Sequence, residues 1–155
     1  MASVRSRIGE NMEDRYLFKA KRVNNGEWVQ GYYVKGLNMY GKEVHLIFEP
    51  NTMFYSSGET DGWYKVDPST ICRCSGHEGK NGNLIWENDI VAYWDAYSTE
   101  SGLSEADCIG KVLWDDETMS FQVTNRLSAE SYEVLDECSV IGNIFDNKEL
   151  LESEE

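Results

Sequence analysis

Arg15–Val34 reads RYLFKAKRVNNGEWVQGYYV, two runs that flank Asn24-Asn25-Gly26. In the first run Tyr16, Phe18 and Ala20 alternate with Leu17, Lys19 and Lys21, the two-residue period of a strand with one face on a core. Asn-Gly supplies the left-handed backbone that a tight turn needs, so Glu27 to Val34 should fold back on Arg15 to Arg22 as a hairpin. The same signals recur outward from this stretch. Glu43 to Phe48 (EVHLIF) and Thr52 to Tyr55 read as short strands around the turn dipeptide Pro50-Asn51, Ser56 to Gly62 as a polar loop, and Thr70 to Ser75 as another strand.

The second half repeats the style. Asp89 to Trp94 (DIVAYW) is apolar on both faces, as a strand inside a small barrel or between two layers would be. Gly110 to Trp114 and Phe121 to Thr124 flank Asp115-Asp116-Glu117-Thr118, a hairpin in which Val112, Trp114, Phe121 and Val123 face inward. Tyr132 to Leu135 and Val140 to Phe145 follow, with Gly142 placed where a strand bends. Ala96 to Asp107 (AYSTESGLSEAD) lacks strand alternation and reads as a long mobile loop, a first candidate for a contact surface. Only the end reads as helix: Asp146 with Glu149 three residues on forms a capping box, and Leu150 and Leu151 dock it. The fold class is mainly β.

Among the 155 residues 41% are hydrophobic, with five Trp, nine Tyr and five Phe, enough to build a core without disulfide or metal staples. Cys72, Cys74, Cys108 and Cys138 are read as reduced thiols. Residues 1–11 are polar and patternless, a disordered leader or tag remnant. No run approaches the eighteen or so apolar residues of a membrane helix, and the expected location is the cytoplasm. Charge is unevenly spread within the net −14: from Glu87 onward there are 18 acidic against 3 basic residues. Such a half repels phosphate backbones and membrane headgroups.

The motifs that could carry chemistry have simpler structural readings. Cys72-x-Cys74 near His77 lacks the C-x(2–4)-C spacing and the four ligands of structural zinc, and residues two apart on a strand share a face. Gly76 to Asn83 (GHEGKNGN) fails the P-loop pattern and reads as a turn with positive φ at Asn81-Gly82. His77-Glu78 lacks the second histidine of H-E-x-x-H, and His45 sits in a strand pattern as a structural histidine. Asp115, Asp116 and Glu117 occupy a hairpin turn, where acidic residues are common. No catalytic, cofactor-binding or metal residue is assigned.

Gly76 to Val91, GHEGKNGNLIWENDIV, resembles the signature of the YopX-like phage family, of the form TGLKDKNGKEIYEGDIV. Gly76, Asn81, Gly82, Ile85, Glu87, Asp89, Ile90 and Val91 match. RYLFKAKR, WVQGYY, VDPSTI, GKVLWDDETMSFQV and VIGNIFDNKELLE keep the family's order, so the similarity spans about Asp14 to Glu152. Asn88 stands where the family has Gly, and Asn is the residue that best tolerates positive φ in its place. The resemblance implies a phage or prophage origin, action in the bacterial cytoplasm and a C-terminal SH3-type small barrel, and it carries over no activity. The expected organisation is therefore a β-rich lobe over 12–75 and a barrel with a terminal helix over 76–155.

The expected function is a non-catalytic interaction module with no cofactor, whose partner is a host or phage protein. Two other readings remain: a metal-dependent hydrolase using Asp89, Asp95, Asp115 and Asp116, and a nucleic-acid binder or acidic mimic that engages a basic host protein. Arg15, Lys19, Lys21 and Arg22 are the compact basic cluster, and the acidic half makes nucleic acid the weaker partner. Self-association is expected through the N-terminal half, where Trp28, Tyr32, Tyr33, Tyr40, Phe54, Tyr55 and Trp63 cluster and where two copies meet without concentrating like charge.

Overall fold

The computed structural model describes residues 14–53, 55–58, 61–124 and 137–152. The chain is mainly β and divides into two compact units, Met1–Cys74 and Ser75–Glu155. Residues 1–11, Phe54 and the strand expected at 132–135 lie outside the described residues.

Unit 1 holds β1 (Phe18–Lys21), β2 (Trp28–Leu37), β3 (Glu43–Phe48), β4 (Trp63–Lys65) and the start of β5 (Cys72–Glu78). The hairpin around Asn24-Asn25-Gly26 forms with Phe18 opposite Gly31 and Lys21 opposite Trp28. Strands lie in the order β4-β3-β2-β1-β5, all antiparallel. A 3-10 turn at Pro68–Thr70 links β4 to β5, where a strand beginning at Thr70 was expected. Asp67 caps this turn by accepting from the Ser69 amide at 3.0 Å. The ends of β1 and β4 meet in one bridge, Arg22 to Val66, so the sheet curls toward a barrel without closing it. Its core is Ala20, Ile47 and Val66, with Phe18, Val29, Tyr64 and Ile71 packed around them.

Thr52–Tyr55 is not a strand in its described residues. The Thr52 hydroxyl donates to the Glu49 carbonyl at 2.6 Å and the Thr52 amide donates to the same oxygen at 3.0 Å, which folds the segment into a turn. Local side-chain bonding of this kind competes with a ladder.

In unit 2 the rest of β5 turns at Gly79–Asn83 into β6 (Leu84–Trp86). Gly82 supplies the turn's left-handed backbone, φ 82°, whereas Asn81 does not share it. A four-stranded sheet follows in the order β10-β7-β8-β9, from β7 (Asp89–Thr99), β8 (Gly102–Asp115), β9 (Ser120–Val123) and β10 (Ser139–Asn143). The C-terminal barrel expected here is not closed among the described residues; the sheet is open. Ile85, Val91, Tyr93, Cys108, Val112, Val123 and Cys138 form its core. Pairing of β10 with β7 shifts register between Val140 and Gly142, the bend expected at that glycine. Helix α1 (Glu149–Glu152) is a single turn that contacts β8.

The largest departure from the sequence reading is Ala96 to Asp107. Instead of a loop, β7 and β8 stay paired from Ile90–Lys111 to Thr99–Gly102, and only Glu100-Ser101 connects them. The Thr99 hydroxyl donates to the Gly102 carbonyl at 2.7 Å and closes the turn. β10 and β9 flank only the base of this pair, so beyond Tyr93 and Cys108 the two strands form a ribbon paired with itself among the described residues.

Candidate interaction surface

Cross-strand partners in an antiparallel sheet project to the same face, and neighbours along a strand to opposite faces. In unit 1 the register makes Tyr33, Ile47 and Tyr64 one row, and Tyr32, Phe48 and Trp63 the row beside it. Ile47 is fully buried, which assigns the first row to the core and the second to the opposite face. Tyr32 and Trp63 are accordingly 42% and 43% exposed, and Val34, one position along on the same face, is 44% exposed. The next row is Val34, Leu46 and Lys65.

On the same face Trp28 lies beside β1, with the Lys19 and Lys21 ammonium groups 5.0 and 5.5 Å from its ring centroid. Cation–π attraction holds the lysine stems flat over apolar surface. Among the described residues, the strand positions on this face include Lys19, Lys21 and Lys65 but no carboxylate. The basic cluster seen in the sequence is thus divided. Lys19 and Lys21 lie on this face, Arg22 sits 4.3 Å over the Tyr64 ring, and Arg15 precedes β1.

The other expected aromatics go elsewhere. Tyr33 turns inward, stacks on His45 and brings its hydroxyl 2.6 Å from His45 Nδ1. His45 Nε2 lies 3.6 Å from Glu43, which pairs with Lys35 at 3.0 Å. Both ring nitrogens are therefore engaged, which suits a structural histidine. The Lys35 ammonium hydrogen-bonds to Glu43 and attracts its charge, holding the carboxyl below its ordinary range. Tyr40 and Tyr55 lie outside the strands, both exposed.

The acidic residues weighed as metal ligands are spread along unit 2. Asp89 is buried and accepts from the Trp86 amide at 2.9 Å, fastening the turn in which Asn88 takes φ 72°. Asp95 stands opposite Ala106 in the ribbon, six residues or about 20 Å along the strand from Asp89. Asp115 accepts from the Glu117 amide and the Thr118 hydroxyl, and Asp116 accepts from the Trp114 indole at 2.8 Å, so both organise their hairpin turn. Cys72 and Cys74 are buried, and the Cys72 thiol lies 3.2 Å from the Thr70 carbonyl. Among the described residues no three His, Cys, Asp or Glu side chains gather into a metal-binding group. No helix among them is long and apolar enough to cross a membrane.

Sequence reasoning named Tyr32 and Trp63 but missed Val34, Phe48 and Lys65. Tyr32 and Tyr33 are adjacent and only one can face the core. Which one does so is decided by pairing with β3, a long-range fact without a local signal.

No curated protein matches the chain. Residues 17–152 match the family model described as YopX protein. That span takes in both units and every strand described, and the chain belongs to the YopX protein family.

Proposed function

We propose that this protein is a non-catalytic interaction module of phage or prophage origin. It acts in the bacterial cytoplasm and associates with copies of itself through the exposed face of the unit 1 sheet. The observation that carries this reading is the row Tyr32, Phe48, Trp63 with Val34 and Leu46 beside it. Contiguous exposed apolar surface on a folded chain commonly marks an interaction site, and aromatic side chains supply most of the energy at such sites. The non-catalytic reading is supported by His45, Asp89, Asp115 and Asp116, each of which has a structural hydrogen-bond partner.

Charge favours unit 1 over the second half as the place where copies meet. With 18 acidic and 3 basic residues from Glu87 onward, contact between two second halves would crowd like charge. The unit 1 face carries three lysines and no carboxylate at its described strand positions, and two of the lysines lie over Trp28, so contact between copies there crowds far less like charge than contact between second halves. Two copies joined there would bury the aromatic row, and a stable interface of this kind covers on the order of 1,200–2,000 Å² in total. Light scattering at tens of micromolar protein should therefore give a mass of more than one chain. The mass should persist at low salt, where repulsion between acidic halves is least screened. A single-chain mass under those conditions contradicts the proposal.

A further inference from the structure

The β2–β3 hairpin runs past the rest of its sheet. β1 pairs with β2 only over Trp28–Gly31 and β4 with β3 only over Leu46–Phe48, so beyond Lys35 and His45 the two strands pair only with each other among the described residues. The tip is braced: the Asn38 amide donates to the Lys42 carbonyl at 2.9 Å, and the Asn38 side-chain oxygen accepts from the Tyr40 and Lys42 amides at 2.9 and 3.1 Å. This turn holds Leu37, Met39 and Tyr40 at 69%, 88% and 81% exposure, so the chain's own core makes almost no use of them. Gly36 stands opposite Val44, on the exposed face two positions along β2 from Val34. Nothing inside the chain calls for a glycine there. Its φ is not positive, the ladder is regular, and a Cβ would meet only Val44 Cγ2 at 3.9 Å, an ordinary contact. A glycine weakens a strand, and where no turn or bulge uses it, it marks a place where another backbone comes close.

We infer that Gly36 lies on the two-fold axis of a dimer in which the β2–β3 hairpins of two copies stack antiparallel, the tip of each covering the Tyr32–Trp63 row of the other. This arrangement rests on the self-association proposed above and specifies its geometry. A two-fold axis makes both copies contribute the same patch, which must therefore complement itself. Tyr32 lies four residues, roughly 14 Å, to one side of Gly36, and Met39 and Tyr40 lie three and four residues to the other. Antiparallel stacking about Gly36 thus sets an apolar tip on an apolar row twice over, and the bare backbone between them lets the ribbons approach. The area requires the tip as well. A large side chain presents about 200 Å² when fully exposed, so Tyr32, Val34 and Trp63 together offer roughly 250 Å². A stable interface takes about 800 Å² from each partner. Leu37, Met39 and Tyr40 add roughly 450 Å² more, which brings the hairpin close to that size.

Sedimentation of the full chain over a range of concentrations would give the mass and the dissociation constant, and circular-dichroism melts at a dilution where all chains are single would report the fold. Gly36→Val should weaken assembly by about tenfold or more, because its side chain falls on the axis. The same variant should melt no earlier than the wild type, since valine suits a strand and meets only ordinary contact within the chain. Met39→Ser combined with Tyr40→Ser should weaken assembly by a similar factor, and it carries the test even if Gly36→Val impairs folding. Both variants dissociating with their folds intact supports the crossed hairpins. Wild-type chains that assemble while either folded variant assembles equally well overturn this geometry and leave self-association through the row standing. Wild-type chains that stay single at tens of micromolar overturn both.

Discussion

Unit 1 divides its aromatic side chains between its core and an exposed face, whereas unit 2 turns most of its described ones inward. In unit 2 Tyr93 is buried and its hydroxyl donates to the Thr124 carbonyl at 2.8 Å, Trp86 is buried, and Trp114 meets Phe121 edge-on at 5.1 Å. Its exposed positions carry acids such as Glu105, Asp107, Asp116 and Glu117. Unit 1 places Phe18, Tyr33 and Tyr64 on its core face but exposes Tyr32 and Trp63 in a row bordered by lysines. Two β units of one chain can thus use aromatics differently: mainly to fill a core in one, and to present a surface as well in the other. The parity of each strand decides which.

If that contrast is right, damage to the unit 2 interior should have the largest effect on stability. Ile85 is fully buried in that core, and Ile85→Ala should cost about 2–5 kcal/mol by denaturant or thermal unfolding. Gly110→Ala comes next. A Cβ there would overlap the backbone carbonyl of Thr124, and the forced shift of β9 should cost about 1–3 kcal/mol. Either substitution leaving the melting temperature unchanged would show that the unit 2 core is packed more loosely than described.

A smaller and pH-dependent effect is expected in unit 1. Hydrogen bonds from the Ser69 hydroxyl and amide hold the Asp67 carboxyl below its ordinary range. A depressed folded-state pKa adds stability that is present above the unfolded value and lost as pH falls through the folded one. Asp67→Ala should therefore lower the melting temperature modestly at pH 7, and the gap from the wild type should close below about pH 4. A gap that widens in acid would contradict the capping role.

The smallest effect is expected from the ribbon. Excising residues 96–105 and closing Asp95 to Ala106 with a two-residue turn should change stability by roughly 0.5 kcal/mol or less, since those residues pair only with each other among the described residues. Ala106 must stay because it packs against the unit 2 core. A large loss would show that the ribbon is anchored.

Much of the fold was legible because its signals are local. Asn24-Asn25-Gly26 marks the first hairpin, EVHLIF coincides with β3, and the turn between β8 and β9 falls at Asp116 to Met119, one residue on from the expected Asp115 to Thr118. The ribbon was misread for a physical reason: among its side chains described from Gly102 to Asp107 none is buried and Leu103 is 76% exposed, so that strand has no apolar face to alternate against. The barrel expected in the second half is not closed among the described residues, and strand order has no local signal because it is set by connectivity and by distant contacts such as Arg22 to Val66. Asn88 was the exception among subtle features. Its replacement of the family's glycine foretold the positive φ the turn adopts.

The most direct test places one positive charge on an exposed aromatic in each unit and measures mass by light scattering at low salt. Tyr32→Lys puts an ammonium into the unit 1 row, where an interface would have to desolvate it, while Trp94→Lys alters a unit 2 residue that is 55% exposed. The account predicts that Tyr32→Lys yields single chains with a nearly unchanged melting temperature, while Trp94→Lys keeps the wild-type mass. Dissociation by Trp94→Lys with Tyr32→Lys still assembled would place the interface in unit 2 and contradict it.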